Sequence, residues 1–505
     1  MPRRCISLNR GSAAYGVHAA SWLSFFLVCL LLFQRPWFAV LLTTSLQLLI
    51  LAVNFAKYHS LREPFILQDF EYFADLIRHP RLYLPFFGIW NAILGSVLFI
   101  TLVTTALMLE ASLLVTVDAV LFFSVVTALF IAMSFAARSF AARLPVPQLQ
   151  PASDIRVVGL YASFWGYYLA FGKMPELQPR PEFCDDVVPA DVNRLPDLLV
   201  VQSESFFDPR LSYRSVRKDV LSHYDRIVGQ SLCHGSLRVP AWGANTVRTE
   251  SAFLTGLNPA QMGIHQFNPY WYLSRKRLPN LVSRLKSQGY RTICVHPYPV
   301  GFYMRDKVFP MLGFDQFIDI SEFNPEQKDG QYISDAAVAR KLTDVLEQQD
   351  HPCFIFTITM ENHGPLHLES EQGVNIDALY SEPPPADARD LTVYLRHLKN
   401  ADRMLDRLTG FLRDRQRKSY LCWYGDHVPV MIGVYKSMGE PLAETPYLIW
   451  CSDPQAAVSD ELPLAVDQLA IELLERAVNS DCGIIDSSEL IGREAGADKK
   501  VCPDV

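Results

Sequence analysis

The sequence predicts two parts made for different solvents: an N-terminal multi-pass α-helical membrane domain, then an α/β sandwich built on a mainly parallel sheet. Three observations carry this reading. Half of the 505 residues are hydrophobic, and nearly all the excess apolarity lies before about residue 172. Four apolar runs in that half have the length of bilayer-crossing helices. After them, short apolar strands alternate with amphipathic helices, the pattern of a parallel sheet covered on both faces. The expected division is a transmembrane domain of about five helices over 1–172, a proline-rich linker over 173–195, a globular domain over 196–491 and a tail over 492–505. A net charge of -7 without a basic cluster leaves no footprint for nucleic acid.

Ala19 to Gln34 and Pro36 to Asn54 are separated by little more than Arg35, which predicts two spans joined by a tight turn. The first is read as a span, not a cleaved signal, because the second follows at once and no small-residue cleavage pattern intervenes. Pro85 to Leu109 and Ser112 to Ala136 form a second pair, broken at Glu110. Val157 to Phe171 is shorter, holds Gly159 and Gly166, and is rich in Tyr and Trp; it reads as a fifth span or as a segment along the interface. Ser60 to Leu84, with Asp69, Glu71 and Asp75 among aromatic residues, reads as an amphipathic segment at the membrane surface. Arg3, Arg4 and Arg10 precede the first span; Lys57, Arg62, Arg78 and Arg81 follow the second; Arg138, Arg143 and Arg156 follow the fourth. The positive-inside rule places these in the cytoplasm, so five spans put everything after Lys173 outside, and four would keep it inside.

In the globular part, Leu198 to Val201, Thr292 to Val295, Phe354 to Ile358, Tyr420 to Tyr424 and Tyr447 to Trp450 are expected strands. Leu278 to Gln288 and Leu391 to Arg413 are expected helices. Ligands in open α/β sheets gather beyond the carboxyl ends of the strands, and four of these strands run straight into polar residues: Gln202-Ser203-Glu204-Ser205, His296, Glu361-Asn362-His363-Gly364-Pro365 and Gly425-Asp426-His427. A glutamate, an aspartate and a histidine on neighbouring strand ends can supply three ligands of a divalent metal and leave a position open. Thr246, between a glycine-bearing loop and a helix start, is the candidate to fill it. A hydroxyl at a helix N-terminus beside a cation is placed to attack phosphorus, although a threonine there is more often only an N-cap.

Gln-Ser-Glu-Ser-Phe-Phe-Asp at 202–208, Ala-Asn-Thr-Val-Arg-Thr-Glu at 244–250, Phe-Tyr-Met-Arg-Asp at 302–306, Glu-Asn-His-Gly-Pro at 361–365 and Tyr-Gly-Asp-His at 424–427 resemble, in order, the motifs of the lipoteichoic acid synthase-like sulfatase family of the alkaline phosphatase superfamily. The resemblance implies an alkaline phosphatase/sulfatase-like domain behind about five spanning helices, on the periplasmic side of a bacterial inner membrane. It implies one metal ion, Mn or Mg with Zn as a further option, held by Glu204, Asp426, His427 and Thr246, with Thr246 as nucleophile. Arg305 and His363 would hold the phosphate or headgroup hydroxyls, and His296 matches a histidine near the family's active site. Pro297-Tyr298-Pro299 replaces a more polar segment of the family pattern, which bears on the acceptor.

The implied reaction moves phosphoglycerol from phosphatidylglycerol to a hydroxyl of an envelope glycan or glycolipid through a phospho-threonine intermediate. Phosphoethanolamine transfer from phosphatidylethanolamine is the alternative on the same chemistry. A sulfatase or phosphodiesterase ranks below both, since no Cys/Ser-x-Pro-x-Arg context surrounds Thr246. A non-catalytic polymer-binding module leaves the joint presence of Glu204, Thr246, Asp426 and His427 unexplained. Of ten cysteines, Cys294, Cys353 and Cys422 fall in or beside expected strands and read as small hydrophobes, and no pairing is assigned. Asp402, Arg403, Asp406 and Arg407 read as the solvated face of a helix, and His265 with the aromatic run to Tyr272 as packing.

Overall fold

The computed structural model describes residues 10–79, 89–172, 176–184, 192–385 and 387–479. The chain forms two compact units, Met1–Glu176 and Leu177–Val505. Among the described residues of the first, four helices are long and apolar enough to cross a membrane. They are α1 (Ser12–Phe33), α2 (Pro36–Leu61), α3 (Ile89–Leu109) and α4 (Ala119–Ala141). The tight turn between the first two is sealed from outside: the Glu110 carboxylate accepts the N–H groups of Trp37 and Phe38 at the start of α2, at 2.9 and 2.7 Å. The expected surface segment forms a short 3-10 helix, Leu67–Tyr72, and a helical turn, Phe73–Arg78, tethered where Lys57 Nζ donates to Glu63 and Asp69 at 2.8 Å. Its end beyond residue 79, and the tail from 492, lie outside the described residues.

The expected fifth helix is broken in two. Gly159, at φ +86°, separates α5 (Pro151–Val158) from α6 (Leu160–Phe171). At about 1.5 Å per residue, the 12 residues of α6 reach about 18 Å, short of the ~30 Å hydrocarbon core. α6 packs beside the first half of α1, where Trp165 Nε1 donates to Ser21 Oγ at 2.9 Å.

The second unit is built on a nine-stranded sheet ordered β10-β2-β9-β8-β1-β7-β3-β4, with β11 also on β2; β4 (Gln316–Ile318), β10 (Asp460–Glu461) and β11 (Leu464–Ala465) are its short outer strands. β1 (Asp197–Ser203), β3 (Arg291–Val295), β7 (Cys353–Ile358) and β8 (Ser419–Gly425) form its parallel centre, joined on the far side of β8 by the antiparallel β9 (Glu444–Cys451). All five expected strands lie inside these. Their near-continuous apolar character follows from burial on both faces. Leu199, Val201, Ile355 and Trp423 face one core, against helices α10 (Asp335–Glu347) and α11 (Arg389–Asp414). Leu198, Val200, Phe356 and Tyr424 face the other, against α7 (Thr246–Thr255), α8 (Leu281–Ser287) and α9 (Arg305–Leu312). The strands not expected are β2 (Ser231–Arg238) and the short β4, β10 and β11, and the small hairpin β5 (Lys328–Asp329)–β6 (Tyr332–Ile333) stands apart from the main sheet.

One surface reading is overturned. Asp402 is buried, and its carboxylate accepts the N–H groups of His223 and Tyr224 at 3.1 and 2.7 Å, so it serves a neighbouring helix start. Asp406 keeps the surface role, paired with Arg226.

Candidate active site

The strand order explains the clustering of polar residues. β8, β1, β7 and β3 are consecutive neighbours, and their carboxyl ends release Asp426-His427, Glu204, Glu361 to His363, and His296 on one edge of the sheet. β1 and β8 pair up to Ser203 and Gly425, so Glu204 and Asp426 leave the sheet side by side.

Glu204, Asp426 and His427 are buried, and each offers a ligand atom within 4.8 Å of the others. His427 Nε2 lies 3.3 Å from Asp426 Oδ2, 3.8 Å from Glu204 Oε1 and 3.5 Å from Thr246 Oγ1. Its tautomer follows from its other nitrogen: Nδ1 is 3.1 Å from the carbonyl oxygen of Val428, which only accepts, so Nδ1 carries the proton and Nε2 turns its lone pair to the centre. Asp426 Oδ1 accepts from the N–H groups of Ser205 and His427 at 2.8 and 2.9 Å, while Oδ2 is buried with no hydrogen-bond partner. Burial, and next the charge of Asp426, push the Glu204 carboxyl above its ordinary range. Two carboxylates and a lone pair aimed at one point, with a carboxylate oxygen left bare, fit a divalent cation.

Thr246 is the first residue of α7 and is buried. The backbone on both sides of the centre is constrained: Asn245, before Thr246, and Ser205, after Glu204, have φ of 65° and 52°. Such conformations persist where tethers hold them. Ser205 has two, its N–H on Asp426 and its Oγ donating to Glu204 Oε1 at 2.8 Å. Thr249 adds a third tie by donating to the Asp426 carbonyl oxygen at 2.8 Å, which fixes α7 to the end of β8.

Gly425 has no room for a side chain, since a Cβ there would lie 1.9 Å from the Phe206 carbonyl oxygen. Gly425→Ala is therefore expected to cost at least about 2 kcal/mol, as overpacking of a tight site does, and to displace Asp426-His427. Urea unfolding of the full chain in detergent reads the loss; wild-type stability would show that the Phe206 carbonyl yields freely.

Arg305 and His296 are brought to this edge but are engaged elsewhere. Arg305 is 1% exposed; its Nε and Nη2 donate to Glu250 Oε1 and Oε2 at 3.0 and 2.8 Å, and its Nη1 to His296 Nε2 at 3.2 Å. The Tyr270 hydroxyl also donates to Glu250. Three of the five guanidinium N–H groups are thus committed to the protein. His296 donates from Nδ1 to the Ile358 carbonyl at 3.1 Å and is held neutral, its pKa well below the ordinary histidine value through burial and then the Arg305 charge. His363 is half-buried and donates from Nδ1 to the Gly364 carbonyl oxygen at 2.7 Å, which leaves the Nε2 lone pair; burial lowers its pKa too. Sequence reasoning gave Glu250 no role, although it lies four residues after Thr246 and so on the same face of α7.

The Sulfatase family model matches residues 196–479. The chain belongs to the sulfatase family. This sulfatase-family protein is 33% identical over 294 residues to the capsular polysaccharide biosynthesis protein RkpI of Rhizobium meliloti (strain 1021), covering 57% of this chain and 48% of the relative. It is 22% identical over 185 residues to lipoteichoic acid synthase 1 of Bacillus subtilis (strain 168), covering 36% and 27%. The matches span less than half the length of each curated relative. Its fold, membrane helices included, is similar to that of the integral membrane lipooligosaccharide phosphoethanolamine transferase A of Neisseria meningitidis, with a TM-score of 0.55 over 93% of this chain and 96% of that one, at 13% identity. The family read from the motifs is the family shown.

Proposed function

We propose that this protein transfers a phosphoglycerol group from phosphatidylglycerol to a hydroxyl of an envelope glycan or glycolipid, through a phospho-threonine at Thr246. The observation that carries the reading is Thr246 Oγ1 at a helix N-terminus, 3.5 Å from the lone-pair nitrogen of His427 in the Glu204–Asp426–His427 cluster. Relatives named for lipoteichoic acid synthesis and capsular polysaccharide biosynthesis support an envelope polymer as acceptor.

Glu204, Asp426, His427 and Thr246 would hold one divalent metal, Mn or Mg. Bound there, the metal supplies Lewis acidity that lowers the pKa of the threonine hydroxyl and offsets phosphate charge. Thr246 Oγ1 loses its proton and attacks phosphorus; the Oγ1–P bond forms, the bond from phosphorus to the diacylglycerol oxygen breaks, and that oxygen takes up a proton. The N-terminus of α7 stabilises charge on the phosphate. His363, with a lone pair at Nε2, accepts from a hydroxyl of the headgroup. Arg305, anchored by Glu250, holds positive charge at the site's edge. The acceptor hydroxyl then gives up its proton and attacks the phospho-threonine, and the Thr246 oxygen departs and is reprotonated.

The experiment is incubation of the full chain, in vesicles with Mn, with fluorescent phosphatidylglycerol or phosphatidylethanolamine. Diacylglycerol is expected from phosphatidylglycerol. Release from phosphatidylethanolamine alone changes the headgroup, and release from neither by protein that binds Mn overturns transfer.

We further infer that the catalytic unit lies outside the cytoplasm. Arg10, Lys57, Arg62, Arg138 and Arg143 sit at the start of α1 and the ends of α2 and α4, one side of the membrane. The four long helices alone would return the chain to that side, so the crossing falls to the stretch containing α5 and α6. Cys184, just beyond it, is disulfide-bonded, which fits an oxidising compartment. A reporter active only in the cytoplasm, fused after Val505, is expected to be silent; activity would reverse the topology.

A further inference from the structure

We propose that Asp329, Asp335, Glu361 and His397, with Glu369 behind His397, form a second, mostly buried site for a divalent cation of the magnesium or manganese class. It shares no residue with the Glu204–Asp426–His427 centre and does not depend on the reaction proposed above.

Asp329, Glu361 and His397 each bring a ligand atom within 4.8 Å of the others. His397 is fully buried between two carboxylates, with Nδ1 2.8 Å from Glu361 Oε1 and Nε2 2.9 Å from Glu369 Oε2. Three buried carboxylates, Asp335, Glu361 and Glu369, and the partly exposed Asp329 face one imidazole and the Arg396 guanidinium, which contacts Glu369 at 2.6 Å and lies 3.7 Å from Asp329. That is more negative charge than a dry interior holds without a cation.

The cluster also contains oxygens that nothing in the protein satisfies. Asp335 is 1% exposed, and its Oδ1 has no hydrogen-bond partner. Its backbone N–H donates to Glu361 Oε2 at 2.6 Å, and after burial itself the charges that it feels most are those of Glu361 and His397, so its carboxylate faces the group. Glu369 Oε1 is likewise buried and unpartnered. The hairpin closes on Glu369 so tightly that a Cβ on Gly330, at φ +70°, would lie 2.2 Å from its Oε2. The donors are carboxylate oxygens and one imidazole with no thiolate, which selects a hard cation of the magnesium or manganese class. Because Glu361 stands two residues before His363, an ion here would brace the base of the loop that presents His363.

The test counts Mn bound per full-length chain in detergent after equilibrium dialysis. Wild type is expected to bind two, Asp426→Asn one, and Asp426→Asn combined with Asp335→Asn none. Glu369→Gln replaces Asp335→Asn should the latter fail to fold, judged by its melting without metal. A chain that binds one Mn in wild type and none in Asp426→Asn overturns the second site, as does a double variant that binds as many as Asp426→Asn alone. Wild type binding two, with only the Asp335→Asn or Glu369→Gln ion lost, would support this site and count against the first, so the two readings fail separately.

Discussion

Thr246→Ala is expected to lower diacylglycerol release by about a thousandfold or more while leaving Mn binding by Glu204, Asp426 and His427 largely in place. Removing an attacking oxygen abolishes the covalent route, and other site groups do not replace it. The residue itself adds little to the fold: its side chain approaches His427 Nε2 at 3.5 Å, whereas the tie between α7 and β8 is made by Thr249. The substitution should therefore separate chemistry from stability. Thr246→Ser keeps an oxygen and is expected to keep part of the activity. Mass spectrometry of wild type trapped with donor lipid and no acceptor should place the phospho-adduct on the peptide containing Thr246. Undiminished turnover by Thr246→Ala, or an adduct elsewhere, would sink the nucleophile assignment.

How much of this was legible in the sequence depended on whether a signal was local. The five predicted strands are buried on both faces, so each stands out as an apolar run. β2 did not, because its middle, His234 to Ser236, is only half-buried and includes a glycine. Glu204, His296 and Asp426-His427 follow directly on strands, so strand ends located them before any contact was known. The long-range partners carried no such mark. Arg305 looked available for phosphate, yet Glu250 takes two of its N–H groups from 55 residues away. His397 was one polar residue on an amphipathic helix, and nothing in its neighbours in sequence pointed to Glu361 or Glu369. Val157 to Phe171 had the composition of a span, and Gly159 divided it.

Glu250→Ala is expected to destabilise the catalytic unit by about 3–5 kcal/mol, the cost of stranding one member of a buried ion pair. Glu250 is 0% and Arg305 1% exposed in the side chain, so water cannot replace the lost carboxylate, and Tyr270 loses its acceptor as well. Glu250→Gln should cost less, because an amide oxygen still accepts from the guanidinium. Replacing both partners with apolar residues, as in Glu250→Leu with Arg305→Met, should recover much of the loss, since the pair's net contribution is small beside the penalty for breaking it. Urea unfolding of the full chain, followed through the buried Trp423 and Trp450, measures all three. Activity separates two roles for the pair. If it serves only the fold, the apolar double variant regains turnover with stability. If it aims Arg305, which opens α9, and positions His296 relative to the helix that carries Thr246, the double variant folds but stays slow. The second outcome is expected, because the pair joins the nucleophile's helix to the segment following β3. A Glu250→Ala chain that unfolds like wild type would show that Arg305 finds another partner and that Glu250 aims nothing.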